Sequence, residues 1–330
     1  MPNRRNDEHT SRGTSDDEAP GSLRSVSAVP ESLRELSWAL PQTFLGLDED
    51  GADFETASAV IFPVPYESTT SYGGGTKAGP GAIINASRYI ELWDQEFNCE
   101  PAEIGIHTLP PIELTRAGAT PAMDELRAAH DAVLEAAGDR FVLMLGGEHS
   151  VSSPAILSHA ARHQERITVL QFDAHADLRA QYEGTPNSHA SAMARVLDVA
   201  DVVGVGLRAV SKEEIEVADA HDGVTLIWAD EMWENDDWMD RAFDKLGDKV
   251  YITFDVDYLD PSLMPSTGTP EPGGGDWYRT LKFLRRVFAE KNVIGCDVVE
   301  LAPTPGLHAP DFLVAKLVYK LLAYRFQDRF

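Results

Sequence analysis

From residue 59 onward the chain carries seven short apolar, β-branched runs, at 59–62, 141–145, 167–172, 202–205, 224–227, 250–254 and 293–296. Each is too short for a buried helix and too continuous for a strand with one wet face, so each predicts a strand buried on both sides. Between them lie longer stretches with apolar positions three and four apart, near 80–92, 121–137, 151–163, 189–198, 211–220, 236–246, 276–290 and 311–325, which predict helices. Strands separated by helices build a parallel sheet covered by helices on both faces, an α/β fold. No internal repeat is present, and no linker interrupts the pattern after residue 59.

The beginning of the chain reads differently. Residues 1–30 are rich in Ser, Asp, Glu, Arg, Gly and Pro without periodicity, which predicts a disordered extension ahead of a single domain over 31–330. Arg4 and Arg5 resemble half of a twin-arginine signal, but no apolar segment follows them. No stretch approaches the roughly 20 apolar residues of a membrane helix. These features point to a cytoplasmic protein with no membrane partner. Cys99 and Cys296 are the only cysteines and lie far apart in sequence, which suggests neither a disulfide framework nor a thiolate metal site.

Charge narrows the functions further. The 330 residues include 54 acidic and 28 basic side chains, a formal net charge of −26. Such a chain lacks the clustered Lys and Arg that phosphate contacts need, so a nucleic-acid partner is not expected. The acidity is not confined to one tail, because residues 55–330 alone hold 43 acidic against 23 basic side chains. A surface of that kind is expected of a protein from a high-salt cytoplasm, where ions screen its self-repulsion.

Four clusters of acidic residues and histidines stand directly after predicted buried strands. They are Gly146-Gly147-Glu148-His149-Ser150, Asp173-Ala174-His175-Ala176-Asp177, Asp255-Val256-Asp257 with Asp260-Pro261, and Asp297 with Glu300. In an open parallel sheet ligands bind beyond the carboxyl ends of the strands, where all four would meet. Side chains two apart on an extended segment share a face, so Asp173, His175 and Asp177 can converge, as can Asp255 and Asp257. Carboxylates crowded together repel unless cations sit among them, and carboxylate oxygen with imidazole nitrogen suits hard to borderline divalent metals. With His149, the groups suffice for two ions, which can activate a water near neutral pH.

In their order and wording these motifs resemble the ureohydrolases, the arginase and agmatinase family. The likeness runs from Val64-Pro65-Tyr66 and Gly75-Thr76-Lys77 through Gly268-Thr269-Pro270 to Asp297-Val298-Val299-Glu300, over about residues 59–325. It implies a three-layer α/β/α sandwich with an eight-stranded, mostly parallel sheet, two Mn2+ ions per subunit and assembly into trimers or hexamers. One ion would be held by His149, Asp173, Asp177 and Asp255, the other by Asp173, His175, Asp255 and Asp257, with Asp173 and Asp255 shared. Hydroxide generated between the ions would attack a guanidinium carbon, with Asp177 orienting it. Glu300 would pair with the guanidinium, and His189 would pass a proton to the leaving amine.

Within the family the segments Pro65-Tyr66-Glu67-Ser68-Thr69-Thr70-Ser71-Tyr72, Tyr182-Glu183-Gly184 with Ser188-His189-Ala190, and Gly268-Thr269-Pro270-Glu271-Pro272-Gly273-Gly274 look agmatinase-like. Agmatine is therefore the expected substrate, giving putrescine and urea as in polyamine biosynthesis. Aminopropylagmatine, 4-guanidinobutanoate and arginine are alternatives, Arg179 being able to attract a carboxylate. The resemblance departs at Gly275-Asp276, where family members more often continue with an apolar residue. A catalytically silent metal-binding assembly subunit is the competing reading from another class. Histidines 9, 107, 130, 159, 163, 221 and 308 match no ligand pattern, and Trp228, Trp233 and Trp238 are read as packing residues.

Overall fold

A computed structural model describes residues 39–330; the extension expected over 1–30 lies outside the described residues. The sheet comprises β1 (Ala59–Val64), β2 (Ile106–Thr108), β3 (Phe141–Gly146), β4 (Ile167–Phe172), β5 (Ala200–Leu207), β6 (Val224–Trp228), β7 (Lys249–Asp255) and β8 (Asn292–Val299). All eight strands pair in parallel, in the order β2-β1-β3-β8-β7-β4-β5-β6. The seven predicted strands are present. The eighth, β2, has only three residues, Ile106-His107-Thr108, too few to leave a periodic signature.

The α-helices among the described residues are α1 (Glu49–Ala52), α2 (Gly79–Ser87), α3 (Ala119–Ala137), α4 (Ser152–His163), α5 (Lys212–Ala220), α6 (Ala229–Glu234), α7 (Asp237–Phe243), α8 (Trp277–Glu290) and α9 (Ala309–Arg325). Strand side chains alternate between two cores. Phe141, Leu143 and Leu145 of β3 enter one core with residues of α2, α7, α8 and α9, while Val142 and Met144 enter the other with residues of α3 and α4. This is the period-2 geometry of a strand covered on both faces, and it makes three layers. Packing is aromatic near the centre, where Phe172 of β4 stacks on Phe254 of β7 at 5.0 Å. Burial of each such ring contributes about 1.5–3 kcal/mol.

One predicted helix is absent. Residues 189–198 form two short 3-10 turns, His189–Ser191 and Met193–Arg195, instead of an α-helix. The amides of Met193 and Ala194 both donate to the carbonyl of Asp177, each at 3.1 Å, so the segment is tied to the end of the β4 loop and its own hydrogen bonds are limited to single 3-10 turns. The stretch expected at 236–246 is helical over Asp237–Phe243, after the separate turn of α6, and α2 ends at Ser87 rather than near 92.

The consequence for function lies in the strand order. The four clusters follow β3, β4, β7 and β8, which are consecutive in the sheet as β3-β8-β7-β4. Pairing aligns Leu145 with Val298, Asp255 with Val299, and Phe172 with Phe254, so the carboxyl ends of the four strands finish level.

Candidate metal centre and active site

His149 opens the turn after β3 and is buried together with Asp173, Asp177, Asp255 and Asp257. Its Nδ1 stands 3.0 Å from Asp173 Oδ2, 2.9 Å from Asp177 Oδ2 and 3.3 Å from Asp255 Oδ2. Beside this group, His175 Nδ1 lies 3.0 Å from Asp257 Oδ2 and 3.5 Å from Asp173 Oδ1. Two sets of donors thus come within metal-ligating reach of one another, His149 with Asp173 and Asp255, and Asp173 with His175 and Asp257. Asp173 is common to both. Asp177 joins the first set through its contact with His149, and Asp255 groups with the first set only.

Main-chain and side-chain donors aim these groups. Asp173 accepts from the His175 amide at 2.6 Å and from Gln171 Nε2 at 2.9 Å. Asp257 accepts from the Ala174 amide at 3.0 Å, and Asp255 from the Asp257 amide at 2.8 Å. Arg208 donates to the carbonyl oxygens of Asp257 at 2.6 Å and Glu271 at 3.0 Å, which ties the 268–274 loop to the end of β7. Asp177 and Glu300 both have left-handed backbone, φ 54° and 65°. For a non-glycine residue that conformation costs on the order of 1–3 kcal/mol, and it persists where surrounding structure demands it. For Glu300 the demand is visible: its amide donates to Gly147 O at 2.8 Å, while its carboxylate accepts from the His149 amide at 2.6 Å.

The second carboxylate oxygen of Glu300 takes no hydrogen bond among the described residues. Gly147 itself is required by proximity, since a Cβ there would lie 1.9 Å from Tyr66 O.

Electrostatics test whether cations fit. Burial, with repulsion from Asp257 and Asp173, pushes the Asp255 carboxyl well above the usual carboxylate range. Burial and the neighbouring Asp173 push Asp177 up to about 7, and Glu300 is raised by burial and then by Glu148 and Asp257. Burial alone would depress both imidazoles. Hydrogen bonding to Asp173, Asp177 and Asp255 instead raises His149 well above its ordinary value, and Asp257 and Asp173 raise His175 to about 12. The cluster therefore favours positive charge at its centre. With carboxylate oxygens, imidazole nitrogens and no thiol, the donors fit two hard to borderline divalent ions.

The remaining predicted residue, His189, is brought to the same place. It lines a cavity of about 120 Å3 with His175, Asp177, Ser71, Arg179 and Tyr182. Burial holds its imidazole below the ordinary value. Asp297, placed with the strand-end clusters in the sequence, is buried within β8 behind His149, accepting from Thr253 Oγ1 at 2.7 Å and Tyr251 OH at 2.8 Å. Thr253, Tyr251, Gln171 and Arg208 were not singled out in the sequence. Only Gln171, two residues before Asp173 and thus on the same face of β4, carried a usable signal.

Comparison with known proteins agrees with this geometry. The model of the arginase family matches residues 57–323. An N(1)-aminopropylagmatine ureohydrolase from Synechocystis is 37% identical over 289 residues, covering 86% of this chain and 94% of the relative. An agmatinase from Bacillus cereus is 34% identical over 255 residues, covering 76% of this chain and 85% of that one. The solved structure of proclavaminate amidino hydrolase from Streptomyces clavuligerus superposes with a TM-score of 0.79 at 28% identity, over 88% of this chain and 98% of that one. The chain belongs to the arginase family of ureohydrolases, enzymes that hydrolyse carbon–nitrogen bonds of guanidino groups.

Proposed function

We propose that the protein hydrolyses a linear guanidino amine to urea and the corresponding amine, using two manganese ions. The observation that carries this reading is the convergence of His149, Asp173, Asp177, Asp255, His175 and Asp257 beside Glu300. His149, Asp173, Asp177 and Asp255 would hold one ion, and Asp173, His175, Asp255 and Asp257 the other. Bound there, the ions would supply a water-derived nucleophile near neutral pH.

The protein's own groups do the rest. Glu300 pairs the free side of its carboxylate with the guanidinium, a charge-assisted contact that orients the planar group. Asp177 accepts a hydrogen bond from the attacking water. His189, on the cavity wall, hands a proton to the departing amine.

The agmatinase-like segments of the sequence favour agmatine as substrate. A second reading, N1-aminopropylagmatine, is supported by the Synechocystis relative, which is matched over 94% of its length. Urea release from agmatine, N1-aminopropylagmatine, 4-guanidinobutanoate and L-arginine separates them, because only the tail beyond the guanidinium differs. Preferential turnover of one amine names the substrate. Equal failure of all four would overturn the reading.

A further inference from the structure

Glu148 does not belong to the proposed metal ligands, yet it is fully buried and accepts four short hydrogen bonds. These come from the amides of Ser68 at 2.6 Å and Thr69 at 2.7 Å, from Thr69 Oγ1 at 2.7 Å and from Ser150 Oγ at 2.6 Å. Thr69 Oγ1 faces His189 on its other side. It accepts from the His189 amide at 3.0 Å and stands 3.3 Å from His189 Nδ1. The opposite ring nitrogen, Nε2, stands 3.3 Å from Ser71 Oγ, and Ser71 and His189 line the cavity with His175 and Asp177.

A hydroxyl has one hydrogen and two lone pairs. The Glu148 carboxylate takes the hydrogen of Thr69, and the His189 amide takes one lone pair, so only an acceptor site remains toward Nδ1. Toward Thr69, Nδ1 can therefore act only as a donor, which places the hydrogen of the neutral ring there. Ser188 Oγ, also 3.3 Å from Nδ1, fits as a second acceptor.

We propose that Glu148 and Thr69 are positioning residues that fix the tautomer of His189, holding its hydrogen on Nδ1 and presenting the Nε2 lone pair to the cavity. Nε2 then takes up the proton released by the attacking water and passes it to the amine nitrogen as that nitrogen's bond to the guanidinium carbon breaks, and the ring returns to its starting form. The inference rests on the role given to His189 above. It adds how that role is enforced, through a carboxylate 41 positions away in sequence.

Glu148→Gln reverses the relay while preserving shape. The two amides of Ser68 and Thr69 require the oxygen of the glutamine, which turns its NH2 toward Thr69 Oγ1. Thr69 then accepts there and donates to Nδ1, moving the ring hydrogen to Nε2. The test is 15N NMR of histidine-labelled full-length chain loaded with Zn2+, a diamagnetic replacement for manganese, alongside urea kinetics with Mn2+.

The expected wild-type His189 is protonated at Nδ1, and in Glu148→Gln the hydrogen moves to Nε2. kcat falls at least about 10-fold, part of the 10²–10⁴ that a positioned proton-transfer group contributes, with KM little changed. Thr69→Val shows the same loss, and Thr69→Ser restores most of the rate. A wild-type ring protonated at Nε2 overturns the proposal even if no variant folds. So does a Glu148→Gln enzyme with unchanged tautomer and kcat. Absence of urea from wild type with every guanidine sinks the proposed function instead, and the wild-type spectrum still decides the tautomer.

Discussion

Thr253 holds His149 in one orientation. Its Oγ1 lies 2.9 Å from His149 Nε2 and donates to Asp297 at 2.7 Å, so it receives the Nε2 hydrogen and leaves the Nδ1 lone pair facing the acid cluster. The ligand's rear partner sets which nitrogen is free for metal. Thr253→Val removes that acceptor with little change of volume. Mn2+ affinity measured by calorimetry should fall roughly 10- to 100-fold, the usual cost of losing such a partner. Unchanged affinity would mean that packing alone orients the ring.

Lys320 is a second buried charge with a defined job. It is 3% exposed and bonds Asp94 at 2.7 Å and Glu96 at 2.9 Å, joining α9 to the turn at 94–99. Burial would raise the Asp94 carboxyl, but the hydrogen bond from Lys320 holds it below its ordinary value. Lys320→Met leaves a buried acid without its cation and should cost on the order of 3–5 kcal/mol in denaturant unfolding. A loss near zero would show that solvent reaches the acids.

The pair of histidines that matches no ligand pattern shapes acid stability. His130 and His159 lie ring to ring at 5.4 Å inside the α3–α4 layer. Burial pushes His130 down from 6.5 to about 4, and burial followed by the field of His130 pushes His159 well below 6.5. Between about pH 4 and 6.5 the unfolded chain binds protons that the native His130 refuses. Stability is therefore intact above that window and falls as pH drops through it, by up to about 1.4 kcal/mol per pH unit for each such group. In metal-free protein His130→Leu should lose less stability than wild type between pH 7 and pH 5. An identical loss would place the acid sensitivity elsewhere.

The acid excess has its own test. With 43 acidic against 23 basic side chains over residues 55–330, self-repulsion opposes folding at low salt. Raising KCl from about 0.1 to 2 M, where the Debye length shrinks to a few Å, should raise the unfolding midpoint. A midpoint that does not move would contradict adaptation to a high-salt cytoplasm.

The fold and most of the candidate site were legible in the sequence for one physical reason. Strands buried on both faces are continuous apolar runs, and acidic clusters stand at or just beyond their ends, so Asp173, Asp255 and Glu300 could be placed near the carboxyl edge of the sheet, while their roles and that of His189 came from the family resemblance. What stayed hidden depends on proximity between distant segments. The contact of Thr69 with Glu148 spans 79 positions and that of Thr253 with His149 spans 104, and threonine at neither site differs locally from any other strand or loop threonine. The helix expected over 189–198 failed similarly, because Asp177 captures amides that local periodicity assigns to the helix itself.

Under the proposed function, hydrolysis requires metal held by the His149 and His175 clusters. Urea release should be measured while chelated, metal-free protein is titrated with Mn2+, using agmatine and N1-aminopropylagmatine. No activity is expected without metal, with saturation at two ions per chain and no urea from His149→Ala at the same Mn2+ concentration. Full activity in chelator, or unchanged turnover by His149→Ala, would contradict it.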